Sequence, residues 1–168
     1  VGRGGEKSHK FPKYYGFLMI TSFAGESRHF LDEKSRLSIP AKYRRWLSGN
    51  DAEYTFVVTK GSDPCLVAYP YTEWDIRAKN LLKLDHFKKK NRAFVRAWSR
   101  NSIRLKCDKQ GRVLIPQQLL DFAGIKKEVI IIGVLNYLEI WDPDTLDQHS
   151  ESKIPLDDDY FEDLPNIV

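Results

Sequence analysis

The sequence predicts an α+β fold assembled from two homologous halves, and three observations predict it. A nine-residue pattern occurs twice: Asp32-x-x-x-Arg36-Leu-Ser-Ile39-Pro40 returns 76 positions later as Asp108-x-x-x-Arg112-Val-Leu-Ile115-Pro116. The segments after each copy run in the same order, a short helix-forming stretch followed by two β-rich runs, so the repeat covers most of residues 28–74 and 104–146. The composition is that of a chain that buries a core, with 42% hydrophobic and 12% aromatic residues in 168. That length suits one domain or two small ones of roughly 70 to 80 residues.

Each element has a local reason. Residues 28–31 and 103–107 alternate as strands leading into Asp32 and Asp108, and residues 36–39 and 112–115 are the return strands. Between them the chain must turn tightly. The Asp at the start can accept backbone N–H bonds, and Gly111 supplies a positive φ; Ser35 stands in its place in the first copy, so the two turns are expected to differ. Pro40 and Pro116 end the return strands and fit the first position of a helix. Helices are predicted over 41–47 and 117–123, with Trp46 and Phe122 at equivalent apolar positions. Gly49 with Asn50 closes the first and Gly124 the second. Residues 54–59 and 129–132 are β-branched strands, and 65–69 parallels 137–141 at an offset of 72.

The repeats are separated by a helical connector. Thr72-Glu-Trp-Asp75 reads as a helix start, with Trp74, Ala78, Leu81 and Leu82 on one face. A second helix over 85–100 places Phe87, Phe94, Val95 and Trp98 on its apolar side. Lys88, Arg92, Arg96 and Arg100 form a row at intervals of four, with Lys89 and Lys90 beside it. That row is either a phosphate-tracking stripe or the solvated face of a core helix. The chain therefore divides into an N-terminal extension (1–19), a first repeat (22–74), the connector (75–102), a second repeat (103–146) and an acidic tail (147–168).

Charge is distributed by region. Residues 20–142 carry 22 basic and 14 acidic side chains, net +8, whereas 143–168 carry one basic and eight acidic, net −7. A basic body suits a polyanion such as nucleic acid. The acidic segment from 143 onward, with prolines at 143, 155 and 165, reads as an extended, disordered tail. It either solubilises the protein or competes with phosphate for the basic body. No apolar run approaches the roughly 18 residues of a membrane helix. Cys65 and Cys107 give no disulfide framework, so a reducing cytosolic setting is expected. The only methionine is Met19, and the working protein is expected to begin there, which intact-mass analysis of native protein checks.

The second copy, Asp108 to Pro116 through Gly124-Ile125, resembles the swapped-hairpin DNA-binding domain of AbrB-type regulators and MazE-type antitoxins. Two copies in one chain, with Asp32-x-x-x-Arg36, Asp108-x-x-x-Arg112 and a helical connector, are similar to the MraZ family of bacterial regulators encoded at the head of the division and cell-wall gene cluster. The resemblance covers about residues 22–146. It implies a two-repeat swapped-hairpin β-barrel, assembly into a ring, binding of tandem G-rich promoter repeats in double-stranded DNA, and a cytoplasmic, nucleoid-associated protein.

On this reading Arg36 and Arg112 read guanine, because a guanidinium fork can donate to both O6 and N7 in the major groove. Asp32 and Asp108 either close their turns by pairing with these arginines or orient them for DNA, and the two roles are compatible. Lys34 and Lys109, beside the tips, contact phosphate. No cofactor, metal or small-molecule substrate is expected: the four histidines are scattered, and no HExxH, CxxC or phosphate-loop pattern occurs. Cys107 is expected to be a buried small hydrophobe. The rival readings are an antitoxin-like module that binds a protein through its tail, where Tyr160-Phe161 stand, and a generic nucleic-acid-binding assembly protein.

Overall fold

The fold depends on strands exchanged between the two halves. A computed structural model of the chain describes residues 23–44 and 55–149. Among them the first half supplies β1 (Glu26–Phe30), β2 (Arg36–Ser38), α1 (Ala41–Arg44), β3 (Thr55–Lys60) and β4 (Leu66–Pro70). The connector supplies α2 (Tyr71–Leu81) and α3 (Lys89–Arg100). The second half supplies β5 (Ile103–Lys106), β6 (Arg112–Leu114), α4 (Gln117–Ala123), β7 (Glu128–Val134) and β8 (Tyr137–Trp141), and α5 (Pro143–His149) follows.

Six strands form one antiparallel sheet in the order β1-β7-β8-β4-β3-β5, and β2 pairs with β6 in a two-stranded ribbon. β1 thus pairs with β7 of the other half, and β5 with β3. The registers obey a pseudo-two-fold axis. Leu37 faces Val113, its counterpart 76 residues on, and Val67 faces Glu139, its counterpart at 72. Even the flanking bonds match: Ile39 N–H donates to Gly111 O at 3.0 Å and Ile115 N–H to Ser35 O at 3.1 Å. This is the expected α+β swapped-hairpin architecture, with its strands in two ladders.

Alternation along the strands places the core. Phe56, Val58, Leu66, Ala68, Val129, Ile131, Leu138 and Ile140 point to one face of the six-stranded sheet, where they meet Leu37, Ile39, Val113 and Ile115 of the ribbon. Tyr43 of α1 and Leu119, Leu120 and Ala123 of α4 complete that core, and Phe23 packs edge-on against Tyr43 at 5.5 Å. Cys107 is buried there, as expected. On the sheet's outer face Cys65, Val67, Ile130 and Trp141 form a smaller cluster with Tyr69, Tyr137 and Leu146.

Several local expectations are corrected. The prolines stand one place outside their helices: Pro116 is the N-cap of α4, and its carbonyl accepts from Leu119 N–H at 2.9 Å, as Pro40 O does from Tyr43 N–H at 2.9 Å. The helix expected to start at Thr72–Asp75 begins at Tyr71, after Pro70 and with no side-chain cap. The second connector helix starts at Lys89, because Asp85 makes a separate turn, accepting Phe87 N–H on Oδ1 at 2.9 Å. Neither connector helix buries a residue; Leu82 is 73% and Phe87 96% exposed. Residues 143–149 are not extended tail but α5: Asp142 Oδ1 accepts from Thr145 N–H at 3.0 Å and caps it. Gly124 does close α4, in the left-handed conformation with φ of 67°. Trp46, Leu47, Gly49, Asn50, Tyr54, Met19 and residues 150–168 lie outside the described residues.

Gly133 shows how closely the exchanged backbone packs. A Cβ there would lie 2.6 Å from Ala24 N and 2.7 Å from Phe23 C, both backbone atoms. Gly133→Ala is therefore expected to destabilise the fold by about 1–3 kcal/mol through overpacking, read as a lower urea midpoint at fixed protein concentration.

Candidate nucleic-acid interface

The two Asp-x-x-x-Arg turns are built alike down to single hydrogen bonds. In the first, Asp32 N–H donates to Arg36 O at 3.0 Å and Ser35 N–H to Asp32 O at 2.9 Å. In the second, Asp108 N–H donates to Arg112 O at 2.8 Å and Gly111 N–H to Asp108 O at 2.9 Å. Each Asp Oδ1 accepts two backbone N–H groups, from Lys34 (2.9 Å) and Arg36 (3.0 Å) in one turn and from Gln110 (2.9 Å) and Arg112 (3.0 Å) in the other. The expected difference at Ser35 is absent: Ser35 takes φ of 57° and Gly111 76°, the same left-handed turn. A serine tolerates this at a cost that glycine avoids.

The second carboxylate oxygen holds the arginine. Arg36 Nε donates to Asp32 Oδ2 at 2.7 Å, and among the described residues its two Nη groups carry no hydrogen bond. Arg112 is held more fully: Nε at 2.8 Å and Nη2 at 2.7 Å both reach Asp108 Oδ2, and Nη1 lies 3.6 Å from Asp32 Oδ2. That last contact joins the two tips directly. The hydrogen bond from the Arg112 side chain, then that from its backbone N–H, pulls the Asp108 carboxyl down to about 2; the Arg36 backbone N–H leads the lowering at Asp32.

The ribbon sets where the arginines face. Leu37 and Val113 point into the core, so Arg36, Ser38, Arg112 and Leu114 share the opposite, outer face, with Arg36 paired to Leu114 and Ser38 to Arg112. Leu114 is 58% exposed there. Lys34 and Lys109 are exposed at the turns. The structure thus brings Asp32, Arg36, Asp108 and Arg112 together, with Lys34 and Lys109 at the margin. The sequence reading missed two features, the Asp32–Arg112 approach and Arg44. The Arg44 guanidinium covers the second turn so closely that a Cβ on Gly111 would lie 2.5 Å from its Cζ. Neither carries a local signal, because both cross between halves.

The basic row of the connector is elsewhere. α3 lies over the outer face of the sheet, with Trp98 stacked on Trp74 at 4.0 Å above Tyr69. Arg92 Nη1 is tied to the carbonyls of His86 and Phe87, each at 2.7 Å. Burial raises the thiols of Cys65 to about 12 and Cys107 to about 11, so neither is an ionised nucleophile at neutral pH. Among the described residues there is no cluster of three or more His, Cys, Asp or Glu that could hold a metal, and no helix long and apolar enough to cross a membrane.

Two interleaved repeats, each presenting an acid-tethered arginine on a tight turn, define a protein of the swapped-hairpin type. Known proteins narrow that class. The model of the MraZ protein family matches residues 22–97 and 100–160. A Clostridium beijerinckii protein named transcriptional regulator MraZ is 45% identical over 135 residues, 80% of this chain and 92% of the relative. Proteins of the same name from Clostridium acetobutylicum (42% over 134 residues, 80% and 91%) and Pediococcus pentosaceus (42% over 142 residues, 84% and 96%) agree. The chain belongs to the MraZ family.

The Asp108 carboxyl titrates below its unfolded value of about 3.9, so the tether's contribution is complete above that pH and is lost as pH falls toward about 2. The Asp108 carboxyl carbon shift in NMR is expected to stay that of a carboxylate at pH 4 and to move near pH 2. In Arg112→Ala the transition should rise toward the ordinary value.

Proposed function

We propose that this protein is a DNA-binding transcriptional regulator that inserts the β2–β6 ribbon into the major groove and reads guanine with Arg36 and Arg112. The observation that carries the reading is the shared outer face of that ribbon, which both arginines occupy while their own aspartates fix them. A two-stranded ribbon fits a major groove about 12 Å wide. Arg36 offers its two free Nη groups to O6 and N7; Arg112 reaches the next base with the Nη1 edge that faces Asp32 in the absence of DNA. Asp32 and Asp108 are positioning groups. Lys34 and Lys109 contact phosphate, which sets register without carrying sequence.

One ribbon reads only a few bases, and a bidentate contact contributes about 1–3 kcal/mol of discrimination. Specificity then requires several ribbons on one particle. We read the working form as a ring of copies that binds tandem G-rich boxes, because linked readers raise one another's effective concentration. The regulated promoter is that of the division and cell-wall gene cluster, including the protein's own. The relatives' name, transcriptional regulator MraZ, supports the coarse role.

Selection of bound DNA from random and genomic pools at stated salt is expected to return tandem G-rich boxes. Arg36→Ala or Arg112→Ala should lower affinity for a single box by about 5- to 150-fold, as 1–3 kcal/mol implies, while non-specific binding persists. Arg36→Lys should fail as well, since an ammonium lacks the fork. Retained box specificity in both alanine variants, or a salt-sensitive pool with no motif, overturns the reading.

A further inference from the structure

The outer face of the β2–β6 ribbon carries four side chains, and only the arginines among them match between halves. Arg36 and Arg112 are equivalent at an offset of 76, and so are Ser38 and Leu114. The pairing sets each arginine beside a residue of the other half, Arg36 beside Leu114 and Arg112 beside Ser38. The two arginines therefore have unlike neighbours, one apolar and one a hydroxyl.

The register makes these neighbours close. Ile115 N–H donates to Ser35 O at 3.1 Å and Ile39 N–H to Gly111 O at 3.0 Å, so the pairs 35–115 and 39–111 are hydrogen-bonded ones. Bonded and non-bonded pairs alternate along an antiparallel ladder, which leaves Arg36–Leu114 and Ser38–Arg112 as the non-bonded kind. In such pairs the Cβ atoms stand roughly 4.5–5.5 Å apart, a little more than the rise of about 3.4 Å between stacked bases. A ribbon that aims Arg36 at one base thus holds Leu114 against the next.

Leu114 has no part in the core. It is 58% exposed, and among the described residues it joins neither apolar cluster. A lone exposed leucine is ordinary; the place of this one is not. Arg36 lies across the ribbon from it, and Arg112 stands two residues earlier on the same face of its own strand. An apolar side chain between two guanidinium groups needs an apolar surface set among hydrogen-bond acceptors. In the major groove that surface is the C5-methyl of thymine, which cytosine lacks.

We propose that Leu114 is a specificity-determining residue that packs on the C5-methyl of a thymine next to the guanine read by Arg36, whereas Ser38 leaves the step beside Arg112 without this preference. This rests on the reading of the ribbon given above and refines it, since one unit then tells the two ends of its site apart.

The test uses the full chain and the box returned by selection, with each thymine replaced singly by deoxyuridine, which removes the methyl and keeps the base pair. Wild type is expected to lose about four-fold in affinity at one thymine beside a guanine, the worth of one buried methyl group. Leu114→Ser should bind the thymine and deoxyuridine boxes equally, yet still be weakened by 7-deazaguanine, which lacks the N7 acceptor. Ser38→Leu should acquire a second sensitive position, at the other end of the site. Both residues are exposed, and circular dichroism checks that the variants fold. Three results overturn the role of Leu114 while the guanine reading stands: a box with no thymine beside a guanine, a wild type indifferent to deoxyuridine but weakened by 7-deazaguanine, and deoxyuridine sensitivity that persists in Leu114→Ser. Indifference of the wild type to 7-deazaguanine overturns both.

Discussion

Neither half of this protein can complete its own sheet, and the rest of the structure follows from that constraint. β2 finds its ladder partner only in β6, β1 only in β7, and β5 only in β3. The core forms where the exchanged strands close over one another, with Leu37 opposite Val113 and both fully buried. A slip of one residue in the ribbon would turn these two outward and the arginines inward. The same register therefore secures the hydrophobic core and aims the two charged side chains. Because these pairings are long-range in sequence, loop-closure entropy must be met before they can form.

The aspartates contribute position more than stability. An exposed ion pair is worth about 0–1 kcal/mol, and both Asp–Arg pairs are about one-third exposed. The same carboxylates accept two backbone N–H groups each, which fixes the turn and the arginine as one unit. A guanidinium held in this way has already given up much of its rotamer freedom, so on the proposed role less is lost when it meets a ligand.

Much of this was legible in the sequence, and what was not has physical reasons. The repeat at 76 residues announced the duplicated halves, and the strands 137–141 and helix 117–123 stand where alternation and Gly124 placed them. Sequence similarity between halves cannot show that strands are exchanged, since a hairpin closed within each half has the same pattern. The resemblance to a swapped-hairpin family supplied that step. The connector helices stand close to where periodicity puts them, at Tyr71–Leu81 and Lys89–Arg100, but periodicity marks an apolar face without saying how far it is buried, and Phe94 is 56% exposed. α5 was hidden by acidic composition, although Asp142 and Thr145 form a local cap that a reader of charge alone passes over. The Asp32–Arg112 contact and the Arg44 cover over Gly111 exist only between halves, where no local rule reaches.

Joining two halves in one chain also frees them to diverge, and the divergence has a direction. The second turn has Gly111 beneath Arg44 and an arginine held by two carboxylates; the first has Ser35 and an arginine held by one. Leu120, the counterpart of Arg44, is buried in the core instead. Two identical chains making the same sheet would have identical tips and identical flanks. In the fused form the tips are graded in how tightly each arginine is held, and one flank carries α3 while the other carries α5. The duplication therefore keeps the exchanged core, in which Leu37 and Val113 still face one another, while leaving each tip to take its own set of partners.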